Sequence, residues 1–240
     1  MQRSMIRPVA SLILLTGILA SPAWSHYLWV TIDAKSGDHG TTNVYFEGGP
    51  GPGDGQYLDP FVERGTTWIR TLDSDRPAEL KMEVAKAPNK RWLSTALPQD
   101  GPRAIDSYGK WGVYRYGKTD VLLHYYAKHF DVSSADELKQ LARAEHLDLD
   151  IVPVKVGDTN EFQILWKGKP VAGRPVAVRG PGIKPSLTTD EDGHIQFKAE
   201  KAGRYTLRTS VEEQEGGTDG GKEYQKIRHN ITAVINLPVE

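Results

Sequence analysis

With 30 Lys and Arg against 31 Asp and Glu, the 240-residue chain carries a formal net charge of −1, which excludes a nucleic-acid partner drawn in by a basic face. It has no cysteine. No disulfide, thiolate nucleophile or lipid-modified cysteine is therefore available, and any metal ion must rest on nitrogen and oxygen donors.

The first 25 residues read as a secretory signal peptide. Arg3 and Arg7 give a positive n-region, and Val9 to Ala20 an apolar stretch too short to span a bilayer. Ala23 and Ser25 supply the small residues that signal peptidase needs. The expected cut leaves His26 as the N-terminus of a periplasmic or secreted protein, with Trp24 the other possible start. Two cations leave with the leader, so the mature net charge is −3. No later stretch is long and apolar enough for a transmembrane helix. A terminal histidine is chemically special. Its α-amine and imidazole Nδ1 chelate one ion together, and they titrate near pH ~8 and ~6.5, so both offer lone pairs close to neutrality.

The 24 Gly and 15 Pro, with frequent Val, Tyr and Trp, predict a mainly β protein of two β-sandwich-like domains joined by one short helix. Tyr27 to Asp33 alternates as a strand, and Thr42 to Phe46 is a second. Glu47-Gly-Gly-Pro-Gly-Pro-Gly-Asp-Gly55 then breaks all regular structure and reads as a functional loop, without the Lys and Ser/Thr of a phosphate-binding loop. Thr66 to Leu72 and Glu79 to Ala85 are further strands. Gly112 to Tyr116 and Thr119 to Phe130 form a hairpin around Gly117-Lys118. Ser134-Ala-Asp-Glu137 is a capping box, predicting a helix near 134–145. That closes an N-terminal β domain over residues 26–154.

The second domain, residues 155–240, has strands at Asn160 to Trp166, Val171 to Arg179 and Gly203 to Thr209, and a turn with a strand over Thr188 to Phe197. The stretch "GKPVAGRPV…TTDEDGHIQF…AGRYTL" resembles the small immunoglobulin-like or transthyretin-like β-sandwiches of secreted proteins. Glu215 to Lys222 reads as a flexible insertion and Tyr224 to Leu237 as the closing strand.

Histidines carry the candidate chemistry. His124 and Lys128 share one face of their strand while His129 joins Tyr125 on the other, because side chains alternate. His229 opens the last strand, His39 sits in a Gly-flanked turn, His194 beside the Asp192-Gly193 turn, and His146 just after the helix. Singly, each internal histidine is more often structural than a ligand; only His26 carries positional information. The candidate metal residues are His26 and His124. Hydrolase signatures (G-x-S-x-G, H-E-x-x-H, a catalytic cysteine) are missing. The aromatics Trp29, Trp68, Trp92, Trp111, Tyr108, Tyr114, Tyr116, Tyr125 and Tyr126 suit a carbohydrate face, but alternating strand aromatics are normally buried, and core packing is the expectation.

The motifs "SHYLWV", "NVYFEGGPGPG", "LLHYYAKHF", "LDLDIVPV" and "YQKIRHNITAVINL" together resemble periplasmic proteins of unknown biochemical function associated with nickel and cobalt uptake. The resemblance runs over residues 26–237. It implies a two-part β protein that supplies or senses a transition metal for a membrane transporter, and it carries over His26 alone as a ligand. The expectation is a metal-binding accessory protein, not an enzyme, whose ion is Ni, Co or Cu; imidazole suits all three. Two rivals stand beside it: a copper enzyme using an N-terminal histidine brace, and a structural or adhesive β-sandwich in which His26 is incidental. Mass spectrometry of the secreted protein should find His26 as the first residue; a terminus at Trp24 or after His26 would remove the chelate.

Overall fold

A computed structural model describes residues 26–74 and 76–238. The leader assigned to residues 1–25, including its cut, lies outside them. The elements run in order as strands Tyr27–Asp33 (β1) and Thr41–Glu47 (β2), helix Asp59–Arg64 (α1), then strands Thr66–Thr71 (β3), Ala78–Leu80 (β4), Glu83–Ala87 (β5), Lys90–Ala96 (β6), Arg103–Tyr116 (β7) and Thr119–Asp131 (β8). Helix Ala135–Leu141 (α2) follows, capped by Ser134 and Glu137 as the sequence predicts. The rest is strand: Leu149–Lys155 (β9), Asn160–Trp166 (β10), Lys169–Pro170 (β11), Pro175–Arg179 (β12), Ser186–Thr188 (β13), His194–Phe197 (β14), Gly203–Glu213 (β15), Gly217–Asp219 (β16), Lys222–Tyr224 (β17) and Lys226–Leu237 (β18).

The protein is mainly β, as expected, but several elements differ in detail. The predicted strand over 79–85 is broken at 81–82 into β4 and β5, which join different sheets. Helix α1, started by Pro60 in its first turn, and strand β6 were not anticipated. The helix after the capping box stops at Leu141, four residues short of 145. The stretch 215–222, expected to be flexible, is tied down by the β16–β17 hairpin, Thr218 opposite Glu223.

One eight-stranded sheet organises the molecule, in the order β13-β12-β15-β18-β8-β7-β3-β4. Its centre is a parallel pairing between β18 and β8, from Lys226 opposite Val121 to Ile235 opposite Phe130. Among the described residues every other strand pairing is antiparallel. The pairing carries the sheet across residue 155 without interruption. On one face lies the sheet β1-β2-β6-β5, where Leu28, Val30, Val44 and Phe46 pack on Leu123, Tyr125 and Ala127. On the other lie β9, β10, β11 and β14 with α2, where Leu149, Ile151, Phe162 and Ile164 pack on Tyr126, Phe130, Ile231 and Ile235. The alternation of β8 sorts the layers: odd-numbered Leu123 and Tyr125 go one way, even-numbered Tyr126 and Phe130 the other.

Lys128 is fully buried on the α2 side. Its ammonium donates to Asp150 Oδ1 at 2.5 Å and to the Ala142 carbonyl at 2.7 Å. Asp150 Oδ2 accepts the Ala144 amide at 2.9 Å. Arg70 reaches the same helix end, donating to the Leu141 carbonyl at 2.7 Å and to Asp106 at 2.6 Å. A buried lysine and a half-buried arginine therefore satisfy the carbonyls that α2 leaves open at its C-terminus. Burial pulls the Lys128 pKa below the usual lysine value, and Asp150 and Asp106 pull it back. Removing one member of such a pair strands a buried charge, which costs about 3–5 kcal/mol. Asp150→Ala should lower the unfolding free energy, read from denaturant titration, by a matching amount, and Lys128→Met combined with Asp150→Leu should recover much of the loss. A double variant no more stable than Asp150→Ala would show that the stranded charge is not the cause.

Candidate functional site

The structure places His26 and His124 on opposite faces of the central sheet. It does not bring them together.

His26 sits immediately before β1. Its ring lies 5.2 Å from Tyr57, edge to face, and 5.7 Å from Phe46, and its Nε2 is 3.8 Å from Glu47 Oε2. Glu47 ends β2 and is clamped by the glycine-rich loop that follows. The Gly55 amide donates to Glu47 Oε1 at 3.1 Å. The Gly53 backbone crosses so closely that a Cβ there would stand 2.2 Å from the Glu47 carboxyl carbon. One glycine of the loop, Gly53, is thus explained by the carboxylate it crosses, and Gly55 by its positive φ and its close approach to Arg91, whereas Gly49 and Gly51 meet nothing within 4 Å.

Beside His26 opens a cleft of about 590 Å³, lined by Phe46, Tyr57, Trp111, Tyr114, Tyr116 and Tyr125 with Asp54, Gln56 and Arg115. Trp111 is the extra residue of a β-bulge in β7. Lys110 pairs with His124, yet Gly112 already pairs with Leu123. The bulge reverses the parity of β7, so Tyr108 and Lys110 face the α2 layer while Tyr114 and Tyr116 face His26. Tyr57, Tyr114 and Tyr116 are 40, 45 and 41% exposed. The expected core role therefore fails for Tyr114 and Tyr116. It holds for Trp29, Tyr125 and Tyr126, which are buried.

The second cluster lies one residue along β8. The parallel register sets His124 directly opposite His229, with ring centres 4.9 Å apart and planes inclined by 26°. Each ring meets a tyrosine hydroxyl through Nδ1: His124 with Tyr108 Oη at 2.8 Å and His229 with Tyr126 Oη at 3.1 Å. Tyr108 and Tyr126 are themselves cross-strand partners. His229 Nε2 lies 3.0 Å from Glu213 Oε1, and Lys167 holds Glu213 Oε2 at 3.2 Å. Trp166 covers His229 at 4.3 Å between ring centres. Burial, then the neighbouring His229 and Lys110, bring the His124 pKa down to about 4. Burial also lowers His229, against the pull of Glu213. Both rings are therefore neutral bases at pH 7.

The remaining histidines stand apart. His129 is fully buried, with its Nδ1 unpaired among the described residues, and burial brings its pKa down to about 3. His39 meets Asp100 at 2.9 Å on the surface. His194 pairs with Glu161, and His146 packs on Trp68 near Asp106. Among the described residues, no three His, Asp or Glu side chains already surround a common point. Around His26 the donors are one imidazole and the carboxylates of Glu47 and Asp54, which suit a borderline ion once a free amine adds a second nitrogen. A histidine brace needs a second imidazole, and His26 is the only histidine among the described residues of the cleft. Glu47, Glu213 and the two tyrosine hydroxyls escape sequence reading. Only Glu47, poised before the glycine run, leaves a trace there.

The chain belongs to the DUF4198 family, a domain of unknown function, which matches residues 23–213. The match starts just ahead of His26 and ends at Glu213, leaving His229 outside. No curated protein matches the sequence. Among solved structures, the chain is similar to the D0-D1 domain of intimin, at 10% identity over 87% of this chain and 96% of that one, TM-score 0.22. It is similar to the chicken CNTN1 FN1-FN3 domains at 9% identity over 88% and 67%, TM-score 0.20. It is similar to the Bacillus anthracis TIE protein at 12% identity over 88% and 38%, TM-score 0.19. Likeness this loose supplies no activity, ligand or partner.

The loop geometry yields a test. Gly53→Ala forces the Glu47 carboxyl end off the Gly55 amide, at about 0.5–1.5 kcal/mol, the net worth of one hydrogen bond. Gly49→Ala meets nothing within 4 Å and should leave stability unchanged. Equal melting temperatures for the two variants would contradict the clamp.

Proposed function

We propose that the mature protein is a periplasmic transition-metal-binding accessory protein, linked to nickel or cobalt uptake, that holds one ion at His26. The ion is Ni(II), Co(II) or Cu(II), bound through the α-amine and imidazole Nδ1, and the protein passes it to or senses it for a membrane transporter. The role is binding, not catalysis. The observation that carries this reading is the placement of Glu47 against His26 Nε2, the ring nitrogen that an N-terminal chelate does not use. At 3.8 Å the carboxylate is beyond hydrogen-bond distance, but a small turn of the ring would bring the Nε2 proton to it, the outer partnership that metal-bound histidines make. The wrapping of Glu47 by the glycine loop supports the same reading, since it holds that carboxylate in place. Uptake, periplasmic location and transporter rest on the sequence resemblance. Among the described residues no helix is long and apolar enough to cross a membrane.

Both donors must shed their protons to bind, so binding at this position should weaken as the pH falls. One Ala added ahead of His26 turns the amine into an amide, a poor donor unless deprotonated. Equilibrium dialysis with Ni(II) should show the extended chain binding one equivalent fewer than the mature chain. His26→Ala should keep only the amine's weak contribution. Equal metal content in the mature and extended chains would overturn the proposal.

A further inference from the structure

We infer that His124, His229 and Glu213 form a second divalent-metal site on the α2 side of β8, separate from His26. The inference does not depend on the N-terminal chelate. It rests on side chains that the β8–β18 register and the end of β15 bring together.

The separations are close to the bite of one ion. A metal–nitrogen bond of about 2.0–2.1 Å and a metal–oxygen bond of about 2.0–2.2 Å, meeting at a tetrahedral angle, place their donors about 3.4 Å apart. His229 Nε2 and Glu213 Oε1 are 3.0 Å apart and need open by only a few tenths of an ångström. Ring centres lie about 1.1 Å behind Nε2, so two imidazoles on one tetrahedral ion have centres about 5.2 Å apart. The rings of His124 and His229 are 4.9 Å apart. In the metal-free protein His229 Nε2 and Glu213 Oε1 are held together by a hydrogen bond, in which the neutral ring donates its Nε2 proton to the carboxylate, and the three side chains do not yet surround a common point. Metal entry moves that proton from Nε2 to Nδ1 of the same ring, where Tyr126 Oη switches from donor to acceptor. The His124 ring then turns Nε2 toward the ion.

The surroundings are those of a ligand set. Metal-bound histidines pass their other nitrogen to an oxygen partner, and here each Nδ1 already meets a tyrosine hydroxyl. Lys167 ties back one Glu213 oxygen and leaves the other for the ion. Two nitrogens and one oxygen with a fourth position open to water suit a borderline divalent ion, Zn(II) or Co(II) in tetrahedral geometry. Glu213 keeps 27% of its side chain exposed, which gives the ion an entry path.

The test uses Co(II), whose visible bands report tetrahedral sites, on the mature chain and on the chain extended by one Ala ahead of His26. Two equivalents in the mature chain and one in the extended chain are expected. One and none would overturn this inference and keep the chelate; one and one would keep this site and overturn the chelate. In the extended chain, His124→Ala and Glu213→Gln should each weaken Co(II) by more than about tenfold. Tyr126→Phe should weaken it by about tenfold, the size of an outer-partner effect. His229→Ala is followed by a circular dichroism melt, and where it unfolds the His124 and Glu213 variants decide. Undiminished Co(II) affinity in His124→Ala would overturn the site.

Discussion

The parallel pairing of β18 with β8 is the constraint on which the rest of the structure depends. It joins chain segments about a hundred residues apart into one sheet. Closing so long a loop costs entropy before any contact forms, though the cost grows slowly with length. Burial offsets it: Ile231, Ala233 and Ile235 pack into one layer, while Val234 meets Trp29 and Tyr45 on the opposite face. Thr232 adds a hydrogen bond of 2.6 Å to the Leu28 carbonyl. With both faces of β18 covered, the sheet tolerates little slippage. A shift of one residue would send every inward side chain to the wrong layer.

That fixed register makes β8 a partition. Leu123 and Tyr125 line the cleft beside His26, while His124 between them faces His229. Two chemically different neighbourhoods share one strand and are kept apart by its pleat. One is open and aromatic, with a carboxylate held by loop backbone. The other is half buried, with neutral imidazoles and tyrosine hydroxyls paired across strands. The bulge at Trp111 sharpens the division by sending Tyr108 to one side and Tyr114 and Tyr116 to the other.

Much of the local structure was legible in the sequence. The capping box at Ser134, the Gly117-Lys118 hairpin and the opposite facing of His124 and His129 all follow from short-range rules. What was not legible is what depends on distant pairing. Nothing near His124 names His229 as its neighbour, and nothing near Glu213 marks it as a partner of either. The bulge also defeats alternation: counting by twos from Tyr108 places Tyr114 and Tyr116 beside it, whereas the extra residue reverses them. The short hairpin at 217–224 hides in a glycine-rich stretch because its turn residues are also those of flexible linkers. His26 was legible by position, but the Glu47 that faces it was not, since that contact is made by a loop folding back.

The account turns on two separate metal positions lying on either face of β8. Anomalous diffraction from crystals of the mature protein grown with Co(II) tests it most directly. Two peaks are predicted, one within bonding distance of the His26 amine and Nδ1, the other between His124, His229 and Glu213. A single peak bridging surface carboxylates, or no ordered peak at either histidine neighbourhood, would contradict it.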